Sequence, residues 1–126
     1  FVTLIFSLTM FASICHAERK WMKVGVNSGH TYYLTLDSIR KKNGYVYWFD
    51  LTDYLKPNKF GDASVLVYHQ GDCKLIRYKD LMLTFFKKPM GQGIGQPYDP
   101  PKPKWDKPHP DSIIETILKK VCKYAN

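Results

Sequence analysis

Apolar and polar residues alternate with a period of two between Trp21 and Phe86. This period is typical of β-strands that bury one face and expose the other. Strands are predicted at residues 21–26 and 31–36, joined by a turn at 27–29, and at 45–54 after a turn at 42–44. A single helical turn is predicted at 37–40. In the strand at 45–54, one face carries Tyr45, Tyr47, Phe49 and Leu51, and the other carries Val46, Trp48, Asp50 and Thr52.

Turn-forming residues at 56–62 interrupt the alternation, which resumes at 64–70 and in a long strand at 73–86 with a bend near Asp80. Residues 87–109 are rich in proline and glycine, which predicts an irregular connection with a short edge strand around 96–98. Residues 91–95 are predicted to form a flexible loop tip. They are not predicted to bind phosphate, because the prolines that follow prevent a helix from starting there.

The C-terminal segment has the periodicity of an amphipathic helix. Ser112 and Glu115 fit a capping box at its start. An apolar stripe at i, i+3, i+4 and i+7 follows, and Cys122 lies four residues after Leu118 on this stripe. We therefore predict an α+β fold: a mainly antiparallel sheet of about five or six strands, covered by one C-terminal helix that a disulfide ties to the sheet. The stripe consists of Ile114, Ile117, Leu118 and Val121.

The N-terminal 17 residues have the pattern of a secretory signal peptide. Residues 1–12 are apolar and uncharged, and Cys15 and Ala17 are small residues placed correctly for cleavage before Glu18. No basic segment or initiating Met precedes them, so we expect the sequence to start within the signal. The apolar run is too short to span a membrane as a helix. We predict a signal peptide at 1–17, one domain at 18–126, no transmembrane span in the mature chain, and export to the periplasm, the outer-membrane surface or the medium.

Removal of the signal would leave two cysteines, Cys73 and Cys122. In an oxidising compartment such a pair predicts one disulfide. The loop it would close spans about 50 residues, which corresponds to roughly 4 kcal/mol in the chain-entropy model. A lipid anchor at Cys15 is the alternative for the third cysteine, but Ile14 stands where a lipobox has a small residue.

The formal net charge of +8 favours anionic partners outside the cytoplasm, such as lipid head groups, anionic glycans or acidic proteins. The alternative is that the lysines form a solvated face that keeps the domain dispersed. No nucleic acid partner is expected for an exported protein. The Pro-rich stretch is either a tether between sheet and helix or a ligand for an aromatic groove. The candidate ligand-binding residues are Lys56, Lys59, Lys87, Lys88, Lys102, Lys104 and Trp105.

Nothing in the sequence indicates catalysis, a metal or a cofactor. His30, His69 and His109 lack the spacing of a metal site, and each is predicted to have a structural role. Asp50 and Asp53 are three residues apart in a strand, so they point to opposite faces and do not form a catalytic pair. An ion pair between Asp50 and a lysine across the sheet is the alternative. We predict that the protein is not an enzyme.

Aromatic residues are frequent enough to line one sheet face for recognition. The competing interpretation is ordinary cross-strand packing under the helix. The candidates for such a face are Tyr33, Tyr45, Tyr47, Trp48 and Tyr54.

Several segments follow one another in a distinctive order. They are Trp21, the run YYLTLDSI at 32–39, Tyr47 and Trp48, TDY at 52–54, KFG at 59–61, Ser64, Asp72 and Cys73, PMGQG at 89–93, the Pro-rich stretch with Trp105, and residues 113–122. This order resembles the surface-adhesin E family of exported bacterial domains. The resemblance covers nearly all of the mature chain, and no single motif carries it. It implies an antiparallel sheet with a C-terminal helix tied across it by a disulfide, with Cys73 and Cys122 at the two cysteine positions, and adhesion to extracellular-matrix and serum proteins.

Together these observations predict an exported, non-enzymatic binding domain, a bacterial surface adhesin that recognises extracellular proteins or anionic surfaces. The alternative is a structural or assembly component of the cell envelope that packs against another exported protein. A weak homodimer is a further partner consistent with this interpretation.

Overall fold

The computed structural model describes residues 19–126, which form one antiparallel sheet and one C-terminal α-helix. Within this range the sheet has seven strands in the order β1-β2-β4-β5-β6-β7, and β3 pairs with β4 beside β2. The predicted signal peptide at 1–17 lies outside the described residues. The strands are β1 Met22–Asn27, β2 His30–Leu34, β3 Arg40–Lys42, β4 Tyr45–Tyr54, β5 Ser64–Asp72, β6 Arg77–Phe86 and β7 Gly95–Tyr98.

The α+β prediction is confirmed, with one strand more than expected. The extra strand is β3, whose three residues are all exposed and carry no alternation that could have revealed it. A 3-10 turn at Leu36–Ser38 precedes it, close to the helical turn predicted at 37–40. The predicted edge strand around 96–98 is present as β7, which pairs with the end of β6.

Cys73 lies in the turn between β5 and β6, so the long strand predicted from residue 73 begins only at Arg77. Asp72 explains the difference because its Oδ1 accepts hydrogen bonds from the backbone N–H groups of Lys74 and Leu75, at 3.0 and 3.2 Å. These bonds close a local turn in place of the sheet ladder. The bend predicted near Asp80 is a β-bulge, in which Tyr68 pairs with Met82 and His69 with Asp80.

The helix α1, Ile113–Ala125, packs its apolar stripe on one face of the sheet. The Oγ atom of Ser112 accepts a hydrogen bond from the N–H of Glu115, as the capping-box pattern predicts. The side chain of Trp48 is fully buried under the helix. The buried cluster consists of Leu34, Ile39, Val46, Trp48, Ile117, Leu118, Val121 and Cys122.

Cys73 and Cys122 form the predicted disulfide, with their Cα atoms 5.7 Å apart. The bond joins the β5–β6 turn to the last turns of α1. It therefore holds the helix on the sheet at the end where β4 and β6 begin. Of the described residues, no helix is long and apolar enough to cross a membrane.

The two faces of the sheet differ in what covers them. The face that carries Val46, Trp48 and Asp50 lies under α1, and these three side chains are buried. The opposite face carries Tyr45, Tyr47 and Phe49 of β4, which are only half-buried. We call this second surface the open face. The two faces of the sheet therefore carry the residues of β4 that the alternation in the sequence assigned to them.

Candidate functional site

Aromatic rings of neighbouring strands stack along the open face. The ring of Tyr68 on β5 lies 4.6 Å from that of Phe49 and 6.0 Å from that of Tyr47, measured between centroids, and both pairs are stacked. Gln70 donates a hydrogen bond of 3.1 Å to the hydroxyl of Tyr47. These rings pack on one another because direct cross-strand partners share a face. Their other surfaces are left for solvent or for a partner.

Trp105 closes the end of the open face at which β4 begins. The backbone of its neighbour Asp106 forms a bridge with Tyr78, with N···O distances of 2.8 and 2.9 Å in the two directions. The indole packs on Tyr45 at a centroid distance of 5.5 Å. The Pro-rich stretch therefore acts as a tether between sheet and helix that also carries an aromatic ring onto the open face.

Cations surround these rings. The guanidinium of Arg77 and the ammonium of Lys79 lie 4.4 and 4.6 Å from the centroid of Trp105. At the middle of the face, the guanidinium of Arg19 lies 4.6 Å from the centroid of Phe49. Such contacts are attractive because the face of an aromatic ring is electronegative. The open face therefore presents both aromatic surface and positive charge.

Two shallow hollows flank Arg19 on the open face. The larger has a volume of about 540 Å³, and its floor is apolar, formed by Leu51, Leu66 and Phe86. The smaller has a volume of about 390 Å³, and Asp37, Ser38 and Arg40 contribute polar groups to its lining. The larger is also lined by Arg19, Trp21, Met90, Gly91 and Gln92, and the smaller by Arg19, Thr35, Phe49 and Tyr68.

Hydrogen bonds to Ser64 and Asp53 hold the loop wall of the larger hollow at residues 88–91. Of the loop tip predicted at 91–95, they reach only Gly91, and Gly95 already belongs to β7, so the flexibility of the residues between them stays a prediction. Ser64 accepts a hydrogen bond from the N–H of Gly91 at 2.9 Å and donates one to the carbonyl of Lys88 at 2.7 Å. Asp53 accepts the N–H of Met90 at 2.8 Å. Met90 and Gly91 both have positive φ, of 58° and 65°, and these bonds hold that backbone conformation. Met90 and Gly91 are half-buried, whereas residues 87–89 and 92–94 of this loop are exposed.

The structure divides the predicted basic residues between the two ends of the sheet. Trp105 lies at the end where β4 begins, and the exposed Lys102 and Lys104 precede it in the chain. The other four lie in the β4–β5 and β6–β7 loops at the opposite end. The members of this second group, which we call the tip lysines, are Lys56, Lys59, Lys87 and Lys88.

One of the tip lysines is already neutralised. The Nζ atom of Lys87 lies 2.9 Å from Oδ1 of Asp62 and donates a 2.7 Å hydrogen bond to the carbonyl of Phe60. The hydrogen bond from Lys87 lowers the pKa of Asp62, against the opposing effect of burial. Within residues 19–126, no carboxylate lies within ion-pair distance of Lys56, Lys59 or Lys88.

His69 lies between two carboxylates under the edge of the helix. Its Nε2 atom is 2.8 Å from Oδ2 of Asp50, and its Nδ1 atom is 2.9 Å from Oδ1 of Asp80. Both distances are those of ion pairs between a protonated imidazole and a carboxylate. The ring of Trp48 stacks on His69 at 4.8 Å, and its Nε1–H donates to Oδ2 of Asp50 at 3.1 Å. The ion pair expected between Asp50 and a lysine is thus one with a histidine.

This arrangement keeps His69 charged. Burial lowers the pKa of His69, but the negative charges of Asp50 and Asp80 outweigh burial and raise that pKa to about 9. Both ring nitrogens face carboxylates, so neither is free to act as a base or to bind a metal. A hollow of about 190 Å³ lies beside the cluster. Within the described part of the chain, no three His, Cys, Asp or Glu side chains are grouped as a metal site.

The sequence identified only part of the open face. Tyr45 and Tyr47 lie on it, whereas Trp48 lies on the helix side, where it belongs to the core. Tyr54 also lies on the helix side, because it follows Trp48 by an even number of positions in β4, and it contacts His30 edge-on at 5.0 Å. The alternation assigned Phe49 to this face, although Phe49 was not among the candidates for recognition. The residues missed are Arg19, Tyr68, Arg77 and Lys79. Aligning the alternation of β5 with that of β4 would have revealed Tyr68.

Comparison with solved structures supports the same fold. The chain is similar to protein E of Haemophilus influenzae in crystal form II, with 20% identity, a TM-score of 0.58, and coverage of 85% of this chain and 97% of that one. A structure of protein E from non-typeable H. influenzae is similar at 19% identity and a TM-score of 0.57, with coverage of 86% and 90%. At these identities the likeness shows the fold alone. No curated protein sequence matches the chain significantly.

The family assignment rests on the sequence. The model of the surface-adhesin protein E family matches residues 21–123, which contain all seven strands described above and all of α1 except its last two residues. The matched range includes both disulfide cysteines, the rings of the open face and Trp105. The chain therefore belongs to the surface-adhesin protein E family.

Proposed function

We propose that this protein is an exported, non-enzymatic surface adhesin that binds extracellular proteins through its open face. Membership of the surface-adhesin family supports the adhesive role and a location outside the cytoplasm. The observation that carries the choice of surface is the row of half-buried rings left uncovered on the side of the sheet opposite α1, with Trp105 at one end.

The chemistry of this face suits a protein partner. Tyr, Trp and Arg are the residues most enriched at the energetic centres of protein interfaces. The open face brings Tyr47, Tyr68 and Trp105 together with Arg19 and Arg77. The larger hollow adds an apolar floor that an inserted side chain of a partner can fill. The exposed Lys102 and Lys104, beside Trp105 in sequence, would favour an acidic partner surface.

The test is a binding assay of the purified protein on immobilised extracellular-matrix and serum proteins. We expect Tyr47→Ala, Tyr68→Ala and Trp105→Ala each to weaken binding to a retained partner by about tenfold or more, as truncation of a central aromatic residue typically does. Tyr124→Ala is the matched control, because Tyr124 is an exposed ring on the outside of α1. An equal loss of binding in all four variants would contradict the proposal, and so would unchanged binding in all four.

A pull-down that offers the chain both the native envelope of its own cell and a mixture of matrix and serum proteins separates this function from an assembly role. An adhesin retains matrix or serum proteins on a column that carries the wild-type chain and loses them with the Trp105→Ala chain. A component of envelope assembly would instead retain another exported protein of the same cell and no matrix protein. That result would replace the adhesive function by the assembly function.

A further inference from the structure

Two loops meet at the end of the sheet opposite Trp105. One is the β4–β5 loop and the other is the β6–β7 loop. Lys87 donates a 2.7 Å hydrogen bond to the carbonyl of Phe60, which joins the two loops. The N–H of Ala63 also donates to the carbonyl of Phe86, the last residue of β6, at 2.8 Å. The β1–β2 turn joins them, because the N–H of Leu55 donates to the carbonyl of Gly29 at 2.8 Å. We call this end of the molecule the tip.

The tip exposes large apolar side chains. Leu55 is 76% exposed, Phe60 is 69% exposed and Ile94 is 95% exposed. In the described residues, the turn at the other end of the sheet, between β5 and β6, exposes only Leu75 among large apolar side chains, at 58%. Single exposed apolar residues are common, but several in one place mark an interaction surface.

The exposure of Phe60 is built into the loop. Asn58 Oδ1 accepts hydrogen bonds from the N–H groups of Phe60 and Asp62, at 3.0 and 2.9 Å. The N–H of Gly61 donates to the carbonyl of Asn58 at 2.9 Å. These bonds fix a tight turn with Phe60 at its outer corner, so the ring points outward from an ordered backbone.

The tip is also positively charged. Lys56, Lys59 and Lys88 have no carboxylate within ion-pair distance among residues 19–126, and the ammonium of Lys59 lies 5.0 Å from the ring of Phe60. The nearby Asp62 is largely buried and forms an ion pair with Lys87. The tip therefore combines free positive charge with protruding apolar groups.

From this combination we infer that the tip docks on an anionic lipid bilayer. The negative potential of such a surface attracts lysines, while apolar and aromatic side chains insert at the boundary between head groups and acyl chains. A protein partner fits less well, because the centres of protein interfaces are depleted in lysine. The docking residues are distinct from those of the open face, so both surfaces can be engaged at once.

The test is sedimentation of the purified protein with protein-free vesicles of phosphatidylcholine, alone or mixed with phosphatidylglycerol. We expect binding to the mixed vesicles only, decreasing as salt is added. The charge variant K56E/K59E/K88E and the apolar variant L55S/F60S/I94S should each lose at least tenfold in binding. All six side chains are exposed, and circular dichroism will show whether each variant is folded.

Matched controls lie at the opposite end of the sheet. The variant K41E/K42E/K74E has the same net charge as the first variant, and L75S changes an exposed leucine in the same way as the second. Both controls should bind mixed vesicles like the wild type. Equal binding by all variants, or equal loss in variants and controls, would overturn the inference. So would loss of matrix-protein binding by the tip variants with vesicle binding intact, because the tip would then be a protein interface.

Discussion

The imidazole of His69 is held 2.8 Å from the carboxylate of Asp50, at a position where both side chains are almost completely buried. Asp80 lies on the other side of the ring. Three neighbouring strands therefore contribute to the cluster, since Asp50 belongs to β4, His69 to β5 and Asp80 to β6. The raised pKa of His69, about 9, means that folding takes up a proton at mildly alkaline pH. The stability of the domain is therefore linked to pH through this one side chain.

The first prediction concerns stability against pH. Because the pKa of His69 is higher in the folded chain than its ordinary 6.5, its stabilisation is complete below pH 6.5 and is lost as the pH rises through about 9. The full effect is about 3 kcal/mol. Urea unfolding at intervals across this range should show a falling free energy of unfolding. Tyr78, which also faces the cluster, has a raised pKa because of burial and the nearby carboxylates, so it stays neutral in this window.

The variant His69→Gln provides the control for this prediction. It should be less stable than the wild type at pH 6.5, and its free energy of unfolding should be nearly constant between pH 6.5 and 9. If the variant retained the wild-type slope, another group would be responsible for it.

The second prediction concerns Gly71 in β5. A Cβ atom at this position would lie 2.7 Å from the ring of Trp48 and 2.9 Å from Val46, which leaves no room for a methyl group under the helix. We expect Gly71→Ala to destabilise the domain by about 1–3 kcal/mol. Gly25→Ala is the control, because its Cβ would lie at an ordinary 3.5 Å from Ile113. The measurement is thermal unfolding of the two variants side by side. Equal stability of Gly71→Ala and Gly25→Ala would contradict this view of the packing.

The third prediction concerns the disulfide. Cys73 and Cys122 are 49 positions apart, so reduction frees a long loop in the unfolded chain and removes the link between sheet and helix. We expect a loss of roughly 4 kcal/mol in the free energy of unfolding. The measurement is urea unfolding of the protein with and without reductant, with Cys73→Ser/Cys122→Ser as the comparison. If reduction changed the wild type and the serine variant alike, the bond would not be the cause.

The fourth prediction concerns the loop beside the larger hollow. Ser64→Ala would leave the N–H of Gly91 and the carbonyl of Lys88 without their partner at a buried position, at a cost of about 1–3 kcal/mol. Amide hydrogen exchange at Gly91 should accelerate. Ser28→Ala is the control, since the Ser28 hydroxyl contacts only an exposed neighbour. Unchanged protection of Gly91 would show that Ser64 does not hold the loop.

Local patterns predicted the parts of this fold that depend on local sequence. The period of two in β4 assigned Trp48 and Tyr47 to opposite faces, and the stripe with its cap located α1. The cysteine count predicted the disulfide, because Cys73 and Cys122 form the one pair that would remain if the predicted signal peptide is removed. Each of these features follows from residues close together in the chain or from simple counting.

The His69 cluster could not be predicted in the same way. Asp80 would share the open face with Gln70 if β6 were regular, and the bulge at Leu81 turns it toward His69. The position of Trp105 depends on a bridge to Tyr78 from a Pro-rich segment that has no periodicity. Both features depend on register between distant segments, which a single sequence does not record.

The most direct test of the account is site-specific photo-crosslinking to a captured extracellular partner. Benzoylphenylalanine would replace Tyr47 on the open face and, separately, Tyr124 on the outside of the helix. We expect the first probe to form a covalent adduct with a bound matrix or serum protein, and the second to form none. Adducts from Tyr124 without adducts from Tyr47 would contradict binding through the open face.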